Sequence, residues 1–437
     1  MSFDSDSLQI QEICSKVCSG GTPSTRVKEF YIDGTIPWIK TKEVNNCKVF
    51  SAETYITEDA ITKSSAKLIP ENSVIIAMYG NGDTAGRVAI NKIPVATNQA
   101  CCNLILDPAK ADYRFVFYFL RTQYQKLVDL KNGGAQQNLN AKILREYPFP
   151  NTPRVKQTKI ADFLEQLDDK IALNTQTNQT LEQMAQAIFK SWFVNFDPVK
   201  AKMNGEQPEG MDAATASLFP EKLVESELGL IPDGWEVKSF KKVIDKYVDN
   251  RGKTPPIVED GIPLVEVKHL PESSAFPKLS TNKRVTEETF KTWFRVHVEH
   301  KDVLISTVGT IGRTSFVKNT NFGIAQNVLG LRFGKVVEPE YMFYTIKAHR
   351  FQHDMDARLV TTVQSSIKRK DLDTIDILVP PSNVQKEFCK LIGNLLDGQY
   401  SKNAENINLA SLRDTLLPKL LSGEIELEQT ESIVEAV

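Results

Sequence analysis

Few residues in this sequence have types and spacings that could do chemistry, and each such group lacks a required member. The stretch from Asn195 to Pro198 resembles the Asn/Asp-Pro-Pro-aromatic loop that holds a flipped adenine, but its second proline is missing. Asp233, Glu236 and Lys238 are the residue types of a nuclease metal site, yet they open a segment after a linker with no strand between them. Neither group predicts a catalytic centre.

Two further patterns resemble ligand sites only in part. Gly80, Gly82 and Gly86 are spaced like a phosphate-binding loop, but no Gly-Lys-Ser/Thr follows, and we interpret them as a turn. His349 and His353 share one face of a predicted helix, but a His-Glu-x-x-His motif is absent. We therefore predict no metal site and expect these histidines to lie on a surface or to face DNA.

The cysteines predict neither a disulfide framework nor a zinc site. They are Cys14, Cys18, Cys47, Cys101, Cys102 and Cys389. Six are few for this length and include an adjacent pair, so we expect reduced thiols that are mostly buried. Cys14 and Cys18 lie four apart in a predicted helix, and two ligands without a second pair make a poor zinc site.

Length and composition set the outer bounds. The chain has 437 residues, 25% of them charged and 41% hydrophobic, which is room for about two to four folded domains. The N-terminus has no basic and apolar leader, and no segment reaches the run of about 18 apolar residues of a membrane span. We predict a cytoplasmic protein without membrane segments. The formal net charge of -2, taken over the whole chain, argues against binding to nucleic acid.

The two halves of the chain repeat one another. Thr22 in GGTPST matches Thr254 in RGKTPP, at an offset of 232 in the numbering. IPWIKTKEV from Ile36 matches IPLVEVKHL from Ile262, at an offset of 226. Such a small drift in offset indicates two copies of one fold with short loop insertions.

Each copy is predicted to be a mixed α+β globule followed by a long helix. Short β-branched runs at 73–78 and 303–307 predict strands, and the segment from Tyr113 to Leu130 predicts helix. Prolines close each globule, after which the hydrophobic period changes from 2 to 3.5. The predicted segments are globule 1–153, spacer helix 154–203, acidic linker 204–234, globule 235–381, spacer helix 382–422 and an acidic flexible tail 423–437.

The two spacer helices share one heptad frame at a constant offset of 228 in the numbering. The a positions are Ile160, Leu167, Asn174, Leu181 and Ile188, then Phe388, Leu395, Lys402, Leu409 and Leu416. The predicted d positions are Phe163, Met184, Leu391 and Leu412, and Leu164, Ile171 and Trp192 widen the predicted stripe to e. Both copies interrupt the apolar seam at the same layer, Asn174 and Lys402, and a polar residue at a fixes register at a cost in stability.

We predict that these helices pack antiparallel as a coiled-coil rod, with one globule at each end and a pseudo-twofold axis. The first helix, from Arg154 to Trp192, would span about 58 Å. The alternative, in which each helix packs only on its own globule, stays open at this point.

Four long segments carry a resemblance to a known family. They are QTKIADFLEQLDDKIALNTQTNQTLEQMAQAIFKSWFVNFDPVKAK, LFPEKLVESELGLIPDGWEVKSF, VPPSNVQKEFCKLIGNLLD and LLPKLLSGEI. In these, and in its duplicated organisation over almost the whole length, the chain resembles the specificity subunit of type I restriction-modification systems. One departure is that the first copy lacks the IPDGWEV lead that opens the second copy at Ile231.

The resemblance implies a role in host defence. Each globule would be a target-recognition domain that reads one half of a bipartite site in double-stranded DNA, and the helices would set the spacing. Two modification subunits would dock on the helices, bind S-adenosylmethionine and methylate adenine at N6. Restriction subunits, using ATP and Mg, would translocate and cut. The chain itself would bind no cofactor and have no catalytic centre.

The charge distribution agrees with that implication better than the total does. The globules carry net charges of +2 and +5, whereas the linker carries -6 and the segment from residue 382 to the end carries -4. Mildly basic globules suit a subunit whose partners share the phosphate contacts.

Sequence-specific reading needs polar side chains on loops that can enter a groove. Polar residues at matched loops of the two copies are therefore the predicted DNA-binding set. In the first globule they are Thr22, Ser24, Lys40, Lys42, Tyr79, Asn81, Asp83, Arg87, Gln136, Gln137 and Asn138. In the second they are Arg251, Lys253, Thr254, Lys268, His269, Thr307, Thr310, Arg313, Thr361, Thr362, Gln364 and Ser365. We place Gln137 and Gln364 in the reading loops. Because these loops differ between copies, we expect an asymmetric target.

Two other functions remain open from the sequence. One is a restriction or modification enzyme with a divergent catalytic site in the same chain, which would methylate or cut DNA alone. The other is a helical assembly adaptor whose globules bind protein, which would lack a steep salt dependence of DNA binding.

Overall fold

The computed structural model describes residues 7–80, 83–131, 138–250, 254–359 and 365–427. The chain divides into two compact units. The first comprises Met1–Ile171 and Ile407–Val437, and the second comprises Ala172–Asn406.

Short strands and helices alternate along both units. The strands are β1 (Leu8–Gln9), β2 (Cys14–Ser19), β3 (Ile36–Ile39), β4 (Cys47–Val49), β5 (Tyr55–Ile56), β6 (Leu68–Ile69), β7 (Val74–Ala77), β8 (Val88–Asn91), β9 (Val95–Thr97), β10 (Cys101–Leu106), β11 (Pro148–Phe149), β12 (Leu223–Ser226), β13 (Gly229–Pro232), β14 (Glu236–Ser239), β15 (Lys246–Val248), β16 (Ile262–Val265), β17 (Arg284–Val285), β18 (Val303–Ser306), β19 (Thr314–Phe316), β20 (Gly323–Ile324), β21 (Val328–Arg332) and β22 (Asp376–Val379). The helices are α1 (Glu58–Thr62), α2 (Tyr113–Thr122), α3 (Tyr124–Asp129), α4 (Ala141–Arg145), α5 (Arg154–Lys190), α6 (Asp197–Met203), α7 (Ala213–Ser217), α8 (Phe240–Val243), α9 (Glu287–Trp293), α10 (Pro339–Lys347), α11 (His349–Asp356), α12 (Arg369–Leu372) and α13 (Ser382–Ser422). A π-helical turn, Ser191–Asn195, follows α5 directly.

The first unit is built on two sheets. One has the strand order β2-β10-β7-β8-β4 and the other β5-β3-β9-β6. Strand β7 is buried on both faces. Val74 and Ile76 pack in one core cluster with the aromatic side chains of α2, whereas Ile75 and Ala77 pack in a second cluster on the opposite face. The period-2 alternation of a strand thus serves two cores, which is why this run is continuously apolar.

The second unit repeats this topology. Its main sheet has the order β15-β21-β18-β19, and β16 pairs in parallel with β20 as β3 pairs with β9. The strands predicted at 73–78 and 303–307 correspond to β7 and β18. The predicted helix from Tyr113 to Leu130 is two helices, α2 and α3, which part at Gln123.

The helix predicted at Cys14 and Cys18 is wrong, since both residues lie in β2. This strand pairs antiparallel with β10, and Cys18 lies opposite Asn103. A spacing of four residues places side chains on one face of a strand as well as of a helix, so it does not distinguish the two.

The long helices α5 and α13 run antiparallel where they meet within each unit. In the first unit, Arg413 of α13 forms an ion pair with Asp168 of α5. In the second, Asn174 Nδ2 donates to Asn406 Oδ1 at 3.0 Å, and Glu182 accepts a hydrogen bond from Gln399. Residue numbers on α13 fall as those on α5 rise, which is the antiparallel order predicted from the sequence.

A layer of asparagines, hereafter the polar layer, crosses this helix pair in the second unit. It comprises Asn174, Asn178, Asn403 and Asn406. Asn178 Nδ2 donates to Asn403 Oδ1 at 2.9 Å. At the repeat offset of 228, Asn178 corresponds to Asn406 and Asn403 corresponds to Thr175. These two corresponding residues are also hydrogen-bonded, at 3.3 Å. The two copies therefore pair equivalently at this layer.

Two of the predicted d positions are wrong. Met184 is 47% exposed and Leu391 is 39% exposed, whereas Ala185 and Ile392, one residue later in each helix, are fully buried. The buried stripe runs through a and e, which agrees with the predicted widening of the stripe to e. Burial follows this stripe because each helix also packs against the core of a globule and not only against the other helix.

Candidate nucleic-acid interface

Three loops of the first unit meet around Gln99, in the turn between β9 and β10. The Thr22 hydroxyl donates to Gln99 Oε1, and the Tyr79 hydroxyl donates to the Gln99 carbonyl at 3.2 Å. The Gly21 N–H donates to the Thr97 carbonyl at 2.9 Å. The loop after β2 and the loop after β7 are thereby held against one turn.

A fourth segment joins this loop cluster. The Leu139 N–H donates to the Met78 carbonyl at 3.0 Å, next to Tyr79. Asn138, which precedes it, is half-buried. The cluster therefore brings Thr22, Tyr79 and Asn138 of the predicted set to one end of the sheet. Ser24 is exposed on the loop that carries Thr22.

The lysines predicted at the end of β3 lie beside the same turn. The Asn98 N–H donates to the Ile39 carbonyl at 3.0 Å, so Lys40 follows directly. Lys40 Nζ donates to Thr54 Oγ1 at 2.8 Å and lies 5.3 Å from the centre of the Trp38 ring. Lys42 is exposed and forms an ion pair with Glu53, whose hydrogen bond raises the pKa of the lysine. Both ammonium groups therefore already have a polar partner in this structure.

Arg87 and Asp83 are both in the predicted set, and the structure pairs them with each other. Arg87 also donates to Asn45 Oδ1 at 2.7 Å, and the Tyr124 hydroxyl donates to the Asp83 carbonyl at 2.7 Å. Arg87 therefore already has two polar partners in this structure, although its guanidinium has further N–H groups that could donate.

The second unit has an equivalent cluster. The Thr307 N–H donates to the Asn327 carbonyl, and the Ile367 N–H donates to the Thr307 carbonyl, both at 3.0 Å. The Gly309 N–H donates to the Ser365 carbonyl at 3.1 Å. The loop after β18, the turn before β21 and the segment at 365–367 therefore lie side by side, as their counterparts do in the first unit.

Other predicted residues of the second unit are Thr310 and Arg313, in the loop after β18, and Thr254, which precedes β16. The Thr310 carbonyl accepts from the Ser306 hydroxyl at 2.6 Å. Arg313 lies 3.4 Å from Glu272, and its Nε is buried without a hydrogen-bond partner among the described residues. Thr254 is exposed.

His269 supports a turn in this structure. It is 7% exposed, and its Nδ1 accepts a hydrogen bond from the Glu266 N–H at 3.0 Å. Burial lowers the pKa of His269 below its usual value, so the ring is neutral at pH 7. The neighbouring Lys268 is instead 69% exposed, 3.3 Å from Glu266.

Several predicted residues lie outside the described part of the chain. They are Asn81, Gln136, Gln137, Arg251, Lys253, Thr361, Thr362 and Gln364.

Gln99 and Gln326 are not in the set predicted from the sequence, yet both are exposed at the equivalent turn of each unit. Their turns are formed in the same way, since the Ala325 N–H donates to the Val265 carbonyl at 2.9 Å, as Asn98 does to Ile39. The signal was in the repeat, where NQACCNLIL from Asn98 aligns with AQNVLGLRF from Ala325 and puts one glutamine over the other.

One group of side chains has atoms close enough to share a metal ion. Among the described residues, ligand atoms of Glu338, Glu340 and Cys389 lie within 4.8 Å of one another. The Lys301 ammonium already lies 2.7 Å from Glu340 Oε1, and burial raises the pKa of the Cys389 thiol well above its usual value. These contacts form an ion pair between an exposed lysine and a buried carboxylate, with a protonated thiol beside it.

In the described ranges, the helices include none that combines the length and the apolar character needed to cross a membrane.

Comparisons with known proteins agree on one family. The model of the type I restriction modification DNA specificity domain matches twice, at 4–183 and 232–409, which confirms the internal repeat. The MjaIX specificity subunit of Methanocaldococcus jannaschii is 26% identical over 98% of this chain and 94% of its own. The HindI specificity subunit of Haemophilus influenzae is 26% identical over 89% of this chain and 94% of its own. The crystal structure of a type I restriction-modification S subunit from M. genitalium superposes with a TM-score of 0.56 at 15% identity, over 96% of this chain and 98% of that one, which shows a shared fold.

Proposed function

Because the chain belongs to the type I restriction-modification DNA specificity family, we propose that it is the subunit that recognises DNA in such a complex. Each unit reads one half of a bipartite target in double-stranded DNA. The related specificity subunits are noncatalytic components, and the comparisons support this interpretation over a divergent enzyme.

The observation that carries the proposal is the loop cluster that recurs in both units. In each, the loop after the central strand is hydrogen-bonded to the segment near 138 or 366 and lies beside a turn with an exposed glutamine. A glutamine amide can bind the N6 and N7 edge of adenine with two hydrogen bonds, and it can also donate to a phosphate. We add Gln99 and Gln326 to the predicted DNA-contacting set for this reason.

The helix pair supports the role of a scaffold. In the second unit, α5 exposes Leu173 and Met184, and α13 exposes Leu391 and Tyr400. Exposed apolar side chains on long helices favour docking of further helices. We propose that two modification subunits dock on the helices, and that restriction subunits join the assembly.

The cofactors in this proposal belong to the partners. The modification subunits bind S-adenosylmethionine, and the restriction subunits use ATP and Mg. The complex works in the cytoplasm, where host defence against foreign DNA takes place.

Methylome sequencing tests the proposal directly. The chain is expressed with its modification subunits in a host that lacks other adenine methyltransferases. The expected result is N6-methyladenine at one asymmetric bipartite motif. A palindromic motif would contradict different reading by the two units, and the absence of any motif would contradict DNA recognition. Adenine methylation or DNA cleavage by the purified chain alone would favour the enzyme instead.

A further inference from the structure

Each spacer helix has a buried glutamine in its first turn. Gln157 of α5 is 2% exposed and Gln385 of α13 is 1% exposed. The two occupy equivalent positions of the repeat, since their numbers differ by the same offset as the heptads of the two helices. Because buried polar groups are almost always hydrogen-bonded, each polar atom of these side chains is expected to have a partner.

In the first unit, Gln157 connects the spacer helix to two other segments. Its Oε1 accepts from the backbone N–H of Asp112, the N-cap residue of α2, at 2.9 Å. Its Nε2 donates to the carbonyl of Thr152, just before α5, at 2.8 Å, and to that of Lys110 at 3.4 Å. One amide group thus joins the start of the main globule helix, the end of the globule and the start of the spacer helix.

In the second unit, Gln385 makes the same connections. Its Oε1 accepts from the N–H of Glu338, the N-cap residue of α10, at 2.8 Å. Its Nε2 donates to the carbonyl of Pro380 at 2.7 Å. Thr152 and Pro380 are equivalent positions of the repeat, as the two glutamines are.

The charged groups around the two junctions differ. Asp112 pairs with Arg154 at 3.2 Å and with Arg114 at 2.9 Å in the first unit. In the second, Glu340 pairs with Lys301 instead. The side-chain bridge of the glutamine is therefore retained in both junctions although the charged groups around it differ.

The residue type fits this role closely. A bridge of this length needs one acceptor and one donor on the same side chain, which glutamine supplies. Glutamate lacks the donor, lysine lacks the acceptor, and asparagine is one methylene shorter. Because the groups are buried, an unmade bond leaves an N–H or a carbonyl without a partner.

We propose that Gln157 and Gln385 are positioning residues that fix the angle between each recognition globule and its own spacer helix, and thereby the distance between the two half-sites that the complex accepts. This inference rests on the proposed function. The length of the helix explains why the angle matters. Helix α5 has 37 residues, or about 55 Å, so a tilt of about 10° in its first turn moves the far end by roughly 10 Å. That displacement equals about three base pairs of duplex.

The test uses the complete complex with its modification subunits. Methylation rates and affinities are measured on duplexes that carry the wild-type motif with its native spacer, and with a spacer one base pair longer or shorter. Gln157→Met and Gln385→Met keep the length and remove both hydrogen bonds. We expect each variant to reduce the preference for the native spacer about tenfold, the change expected when a buried hydrogen-bonded constraint is lost.

Matched controls come from the same helices. Gln166 and Asn394 are likewise equivalent positions of the repeat, and both are exposed. Gln166→Met and Asn394→Met should keep the wild-type spacer preference. If either methionine variant yields no folded complex, Gln157→Asn and Gln385→Asn take its place, since the shorter amide can reach only one of its partners and should give an intermediate preference.

Uniform losses would overturn the inference. If the variants bind all spacers more weakly by the same factor, or melt earlier with an unchanged preference, the glutamines only stabilise the fold. The wild-type complex separates this outcome from a failure of the proposed function, because a wild type without motif-specific methylation refutes the function before any variant is made.

Discussion

The polar layer of the helix pair gives the most exacting prediction. Asn178 is 8% exposed, and its Nδ2 donates to Asn403 at 2.9 Å. Its Oδ1 is buried and has no hydrogen-bond partner among the described residues. An apolar seam would be more stable at this position, so the layer costs stability in exchange for a fixed register.

Single and double substitutions should therefore have opposite effects. Asn178→Ala removes the donor to Asn403 and leaves Asn403 Oδ1 without this hydrogen bond. The expected loss in the stability of the helix pair is about 1–3 kcal/mol. This corresponds to about 5–150-fold easier local opening. Changing Asn178 and Asn403 together to leucine removes both polar groups and also the unpaired Oδ1. We expect the double variant to be at least as stable as the wild type, because replacing both partners with apolar groups is nearly neutral or stabilising.

The assay is hydrogen exchange of the purified chain, followed on peptides that cover residues 172–184. A double-mutant cycle uses Asn178→Leu, Asn403→Leu and the double variant. The coupling energy is the effect of the double variant minus the sum of the two single effects. Gln176→Ala, exposed on the same helix, should change protection by less than about 0.5 kcal/mol. Additive effects in the cycle, or a double variant that opens more easily than either single one, would refute the reasoning.

Three further predictions concern the loops, the helix junction and the thiols. Gln99→Ala and Gln326→Ala should each weaken specific DNA binding by about tenfold and leave the melting temperature unchanged in thermal unfolding; an unchanged affinity would remove them from the interface. Burial alone would raise the pKa of Glu182, but the charge of Lys347 and the hydrogen bonds to the carboxylate lower this pKa below its usual value. The ionised carboxylate therefore contributes its full stabilisation above the ordinary pKa of a glutamate. That stabilisation is lost as the pH falls through the lowered pKa of the folded state. The difference in unfolding midpoint between wild type and Glu182→Gln should accordingly shrink towards acid pH in urea titrations. Burial raises the pKa of Cys102 to about 12, so this thiol should resist alkylation in the native chain and react after denaturation, as mass spectrometry of labelled peptides can show.

The sequence predicted the parts of the fold that depend on period and repetition. The run around Val74 and its counterpart at Val303 are central strands in both units. Asn174 lies in the polar layer, as its place in the heptad indicated. These features follow from local hydrophobic patterns, which a single chain displays directly.

What the sequence could not supply depends on partners distant in the chain. The buried stripe on the helices is displaced from the d positions, at Met184 and Leu391, because the globules also pack on them. His269 belongs to the predicted DNA-binding set as a polar loop residue, but its ring is turned inward to bond the Glu266 N–H. Gln99 becomes prominent only when Thr22 and Tyr79 are seen to converge on it. None of these contacts produces a periodic pattern in the sequence.

The bridges made by Gln157 and Gln385 end on main-chain groups of the globules, an N–H and one or two carbonyls. Every amino acid but proline offers both kinds of group, so the joint makes almost no demand on the side chains of the globule it holds. Recognition globules with quite different sequences can be exchanged on such a scaffold on one condition. The first residue of the main helix and the last residue of the globule must lie in the same positions relative to the spacer helix. A new DNA preference can then arise by recombination in one step, without any compensating change in the helices.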